Sequence, residues 1–144
     1  MECTADVTNV GKAALPVQFG YHPYLCPDGP RELWTLGMRT QKHWIASEDH
    51  LPSGDTEPTD RYLPGVTKSI TFDMQFIEAG LLDFKRDSQG FGHIWTKGKT
   101  EKIEVVYGKE FDYAIGCAPL SNTLICIGPQ VGPTNTFNLE HEGK

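Results

Sequence analysis

Positive charge is scarce in this chain and nowhere clustered. Its 13 Lys and Arg stand against 19 Asp and Glu, for a formal net charge of −6 and a pI near 5.3. A phosphate backbone is bound by grouped cations, so nucleic acid is excluded as a partner. No apolar run approaches the roughly 18 residues that a membrane helix needs. The opening Met1, Glu2, Cys3 and Thr4 lack the basic-then-apolar pattern of a secretory leader. These absences predict a soluble, cytoplasmic protein with no membrane partner. The cysteines at 3, 26, 117 and 126 form no Cys-x-x-Cys pair, and the histidines at 22, 43, 50, 93 and 141 have no zinc-type spacing, so no metal site is expected. Cys126, inside the apolar run Leu124 to Ile127, reads as a small buried hydrophobe. There is also no phosphate loop, no internal repeat and no long stretch of helical period.

Short apolar runs separated by turn residues remain. Glu2 to Val10 alternates loosely and meets a turn signal at Asn9, Val10, Gly11 and Lys12, and a second extended run follows to Tyr21, which together read as a hairpin. Leu33–Met38, the short piece His43–Ile45, Ser69–Phe72, Phe91–Trp95, Ile103–Tyr107, Tyr113–Cys117 and Leu124–Ile127 continue the series. Residues 47–65 are polar and rich in Pro, Gly and Asp, and read as one long loop or a string of turns. Glu48, Asp49 and His50 within it read as a solvated loop edge. Strands at this spacing predict an all-β fold, an antiparallel sandwich or barrel, in one modest domain covering residues 1–144.

The most constrained stretch is Gly20, Tyr21, His22, Pro23 and Tyr24. Pro23 fixes its own φ and pushes His22 toward an extended conformation, while Gly20 permits a turn or a close backbone approach. The imidazole is therefore aimed. It suits acid or base work on a small polar substrate, and equally the role of a satisfied histidine between core aromatics.

The wider run from Asn9 through Pro16, Val17, Gln18 and Phe19 to Leu25 resembles the aldose 1-epimerase (galactose mutarotase) family, with Leu25 where Phe is usual. Leu51–Gly54 and the pair of runs Leu124–Ile127 and Gly132–Leu139 are similar in the same order. The resemblance implies a galactose mutarotase-like β-sandwich, here a partial copy incomplete at both ends, since members are about twice as long. It implies interconversion of the α and β anomers of a free hexose by general acid/base ring opening, with no cofactor. His22 matches the histidine that protonates the ring oxygen, with Tyr21 and Tyr24 as substrate-binding neighbours. Glu78, counted back from Arg86 and Asp87, is the loose match to a carboxylate that binds sugar hydroxyls.

The resemblance breaks where the base should be. In Ile127, Gly128, Pro129, Gln130, Val131, Gly132 and Pro133, Gly128 stands at the position of the expected glutamate, and glycine carries no proton acceptor. Losing a general base typically costs about 10²–10⁴ in rate. If the pocket is otherwise assembled, Gly128→Glu is expected to raise mutarotation. The alternative is a catalytically inactive carbohydrate-binding relative or a truncated fragment. A phosphosugar substrate is disfavoured because no Arg or Lys cluster stands near these motifs. A partial sandwich also leaves strand edges uncovered, so self-association or a partner chain is expected to cover them.

Overall fold

The computed structural model describes residues 1–49, 51–66, 70–71, 77–118 and 124–143, with the backbone alone for 70–71, 77–81 and 84. Among these described residues, ten strands form two antiparallel sheets. In chain order they are β1 (Tyr24–Leu25), β2 (Thr35–Met38), β3 (Thr40–Ala46), β4 (Pro52–Pro58), β5 (Ile70–Thr71), β6 (Ile77–Phe84), β7 (Gly92–Lys97), β8 (Lys102–Tyr107), β9 (Tyr113–Ala118) and β10 (Ile125–Gln130). The larger sheet runs β1-β10-β9-β6-β3-β4 and the smaller β5-β2-β7-β8. Two short helices, α1 (Thr59–Tyr62) and α2 (Thr136–His141), and a 3-10 turn at Arg31–Leu33 complete the described elements.

Period-two sequence explains the layering. Along β9, Ala114, Gly116 and Ala118 are buried while Tyr113, Ile115 and Cys117 are partly exposed. The buried set of the large sheet, with Leu82, Ala114, Ala118, Ile125 and Ile127, meets Leu36, Met38 and Ile94 of the small sheet in one core. Each fully buried Leu, Ile or Met contributes about 1.5–3 kcal/mol. Gly37 is required on β2, because a Cβ there would lie 2.1 Å from the Trp95 ring that covers it.

Loops are tied by side chains that accept several backbone amides. Asp28 accepts hydrogen bonds from the Thr100 amide and hydroxyl and the Glu101 amide, fixing the β7–β8 turn. Arg86 donates to the carbonyls of Gly90, Lys109 and Phe111 and pairs with Asp112 at 2.5 Å. Arg86 thus gathers the β6–β7 and β8–β9 connections at one end of the sandwich.

Three local expectations are corrected. Residues 1–19 form no strand and lie exposed apart from Phe19, so the hairpin does not form. The turn signal itself is present, since the Asn9 side chain accepts from the Gly11 amide and donates to the Ala13 carbonyl at 2.8 Å each. The alternation before it finds no neighbouring strand to pair with. Residues 47–65 are not all loop, because β4 and α1 occupy them. Pairing with β3 supplies the ladder that Pro, Gly and Asp disfavour locally, and His43 stacks on Tyr62 of α1 at 3.6 Å. Leu33 belongs to a 3-10 turn, Arg31–Leu33, and the strand begins only at Thr35.

Candidate functional site

His22 sits on the outermost line of the large sheet. Gly20 bridges Gln130, and Tyr24 and Leu25 pair with Cys126 and Ile125, so one register runs along β10 and puts His22 opposite Gly128. Three backbone bonds hold the line: Tyr21 N to Pro129 O at 3.0 Å, Val131 N to Phe19 O at 3.0 Å, and Ile127 N to Pro23 O at 3.4 Å. Pro23 has no amide to return to Ile127, whose carbonyl instead accepts from the Tyr107 hydroxyl at 3.1 Å.

Directly opposed residues share a sheet face. Cys126 opposes Cys117, Gly128 opposes Ile115, and Gln130 opposes Tyr113. Tyr113 in turn opposes Asp83, which opposes Lys42. The face turned away from the core therefore carries His22, Tyr24, Cys126, Tyr113, Asp83 and Trp44 together.

The His22 ring is exposed and lies 5.0 Å from the Tyr24 ring, tilted by 47°. Beneath it, Cys126 Sγ is 3.1 Å from Nδ1 and 3.5 Å from Nε2. Burial, and then the neighbouring Cys117, push the Cys126 thiol up to about 11, so it stays protonated and acts as a donor to the imidazole. The expectation that Cys126 is a buried residue holds, at 2% exposure. Tyr21 is not brought to this face. Its ring packs edge-on against Phe19 at 5.0 Å and against Phe111 at 5.8 Å.

Gly128 is sterically closed. A Cβ there would lie 2.6 Å from the Tyr21 carbonyl oxygen. The expectation that a glutamate grafted at 128 would supply the base does not survive this geometry, because the strand that aims His22 occupies the space. Glu78 lies on β6, but its side chain is outside the described residues, as are Ser69, Phe72 and His50.

The carboxylate that the face does present is Asp83. It is half-buried, accepts a hydrogen bond from Trp44 Nε1 at 2.5 Å, and lies beside Tyr113, whose ring meets Trp44 at 6.1 Å. Burial raises the Asp83 pKa above the ordinary carboxylate value, opposed by the Trp44 bond and the Lys42 charge. Burial and the nearby Asp83 and Asp112 charges also raise the Tyr113 phenol. Sequence reading notes Asp83 beside Glu78 among the apolar residues of 76–85 but matches Glu78 to the sugar-binding carboxylate; the signal for Asp83 is its place between apolar Leu82 and Phe84 in a strand. Three strand spacings, about 14 Å, separate its backbone from the His22 line. A molecule touching both would lie across Tyr113 and Ile115.

Among the described residues no group of three or more His, Cys, Asp or Glu is placed to hold a metal, and no helix is long and apolar enough to cross a membrane. No family model matches the sequence, and no curated protein matches it. Among solved structures, a galactose mutarotase-like protein from Clostridium acetobutylicum superposes with a TM-score of 0.71 at 16% sequence identity, covering 82% of this chain and 38% of that one. The chain therefore has the galactose mutarotase-like β fold, as a partial copy spanning less than half the length of that structural neighbour.

Proposed function

We propose that this chain is an aldose 1-epimerase-like protein of carbohydrate metabolism that takes a free hexose on the outer face of the large sheet. The observation that carries the reading is the placement of an exposed, strand-aimed His22 on the same face as the half-buried carboxylate Asp83. Anomer interconversion needs a proton delivered to the ring oxygen and one removed from the C1 hydroxyl. His22 is the donor, and Tyr24 offers a ring face beside it. Asp83, with Trp44 and Tyr113 around it, binds hydroxyls at the other end. Proton transfers of this kind need neither metal nor nucleotide. Because Gly128 offers no acceptor and Asp83 stands at the far end of the ligand, turnover is slow, with water taking the C1 proton.

A second reading, sugar binding without turnover, is favoured by the closed approach at Gly128. Polarimetry of fresh α-D-glucose and α-D-galactose separates the two. Acceleration over a protein-free control that disappears in His22→Ala supports the epimerase. No acceleration by folded protein, with sugar-dependent shifts of Trp44 fluorescence retained, leaves a binding protein. Neither acceleration nor shift refutes a sugar site on this face.

A further inference from the structure

Cys117 and Cys126 stand directly opposite each other on adjacent antiparallel strands, on the face that carries His22. Both are free; Cys117 is partly exposed and Cys126 buried. The amides of Ile127 and Val131 point to the β1 side, so the even-numbered residues of β10 exchange their bonds with β9. Cys117 and Cys126 thus form a hydrogen-bonded pair, with Cα atoms about 5.5 Å apart. That lies inside the range of about 4.4–6.8 Å that a disulfide spans. The Cβ atoms of such a pair stand toward the wide end of what a disulfide accepts, so the bond carries strain and is readily reduced.

We propose that Cys117 and Cys126 form a reversible disulfide under peroxide, with His22 as the proton acceptor for the resolving thiol. Cys117, the more accessible sulfur, attacks one peroxide oxygen; the O–O bond breaks, hydroxide leaves and takes the thiol proton as water, and Cys117 becomes a sulfenic acid. The Cys126 sulfur then attacks that sulfur, giving up its proton to the imidazole 3.1 Å away. The S–O bond breaks, and the departing hydroxide is protonated to a second water. Two thiols lose two electrons and peroxide gains them.

A thiol pushed up to about 11 resolves slowly unaided, because little thiolate exists near neutrality. The exposed imidazole supplies the acceptor and passes the proton to solvent. The bond also draws Cys126 Sγ away from His22, so oxidation changes the environment of the residue that the proposed function relies on. Bond formation itself does not depend on that function.

The test uses the full chain and hydrogen peroxide. Residues 110–144 contain both cysteines and have no Lys or Arg before Lys144, so trypsin leaves the pair on one peptide. After peroxide and alkylation under denaturing conditions, that peptide is expected lighter by two hydrogens and unalkylated, and dithiothreitol should restore two alkylation sites. His22→Gln should slow closure at least severalfold and let a dimedone adduct accumulate at Cys117. Cys117→Ser should leave Cys126 alkylatable and abolish the oxidation-dependent shift of the His22 ring resonances. Two alkylated cysteines after peroxide, or a Cys126 sulfinate without the bond, overturns the disulfide. Equal closure in His22→Gln, shown folded by circular dichroism, overturns the role of the imidazole.

Discussion

Adding one methyl group at position 128 tests the geometry on which the candidate site rests. A Cβ at Gly128 would lie 2.6 Å from the Tyr21 carbonyl oxygen, against the 3.4 Å at which ordinary contact begins. Tyr21 cannot simply retreat, because its amide is bonded to Pro129 O at 3.0 Å in the same ladder. Overpacking of this kind costs about 1–3 kcal/mol, which at roughly 2–4 °C per kcal/mol lowers the melting temperature of Gly128→Ala by about 2–12 °C. Gly116→Ala is the matched control on the neighbouring strand, since its Cβ would meet only Met38 Cε at 3.7 Å. Thermal unfolding by circular dichroism gives the comparison, and hydrogen exchange locates it: the Tyr21 and Val131 amides should lose protection first in Gly128→Ala. A Gly128→Ala protein as stable as Gly116→Ala, with the Tyr21 amide still protected, would refute the close approach. In that case Gly128→Glu would again be a sensible route to a base.

Charge burial and core packing dictate three other outcomes. Asp83 is a carboxylate whose folded pKa is raised, so its ionisation opposes folding at neutral pH; Asp83→Asn should match or exceed the wild type in urea at pH 7, with the difference closing as pH falls below the folded pKa. Asp87 is the reverse case, held down to about 2, first by its 2.7 Å bond to His93 Nε2 and then by the Phe91 amide. Its stabilisation is fully present above the ordinary carboxylate pKa and is lost as pH falls through about 2, so His93→Gln should unfold at higher pH than the wild type in an acid titration. In the core, Ile127→Ala should cost about 2–5 kcal/mol in chemical denaturation, and Ile94→Val about 0.5–1.5 kcal/mol.

Much of the fold was legible because strand pattern and turn chemistry coincide. Gly92–Lys97, Lys102–Tyr107 and Tyr113–Ala118 fall where period-two alternation between Gly- and Asp-containing turns placed them. β4 was hidden because Pro52, Ser53, Gly54 and Asp55 are poor strand formers, and only pairing with β3 makes them a strand. α2 was hidden because its six residues are too few to show a helical period. At the site, His22 was legible from its stiff neighbours, while Asp83 was not. Its importance lies in Trp44 and Tyr113, which are adjacent only after β3, β6 and β9 pair. Gly128 was legible as a missing carboxylate but not as a closed space, because the Tyr21 carbonyl is more than a hundred residues away in sequence.

One pairing explains both what the site has and what it lacks. The edge line aims His22 only because Phe19, Tyr21 and Pro23 bond to β10, and that attachment brings the Tyr21 carbonyl onto position 128. Loosening it to admit a carboxylate would release the imidazole that the carboxylate is meant to serve. A side-chain base acting with His22 therefore cannot stand at position 128 while the edge line holds. Asp83 shares the outer face, and burial raises its pKa, but it stands about three strand spacings from the His22 line, so it can hold hydroxyls at the far end of a ligand and not the C1 hydroxyl itself. The separation of about three strand spacings then fixes what such a pair can share: a ligand lying across Tyr113 and Ile115, reached by His22 from one side and Asp83 from the other.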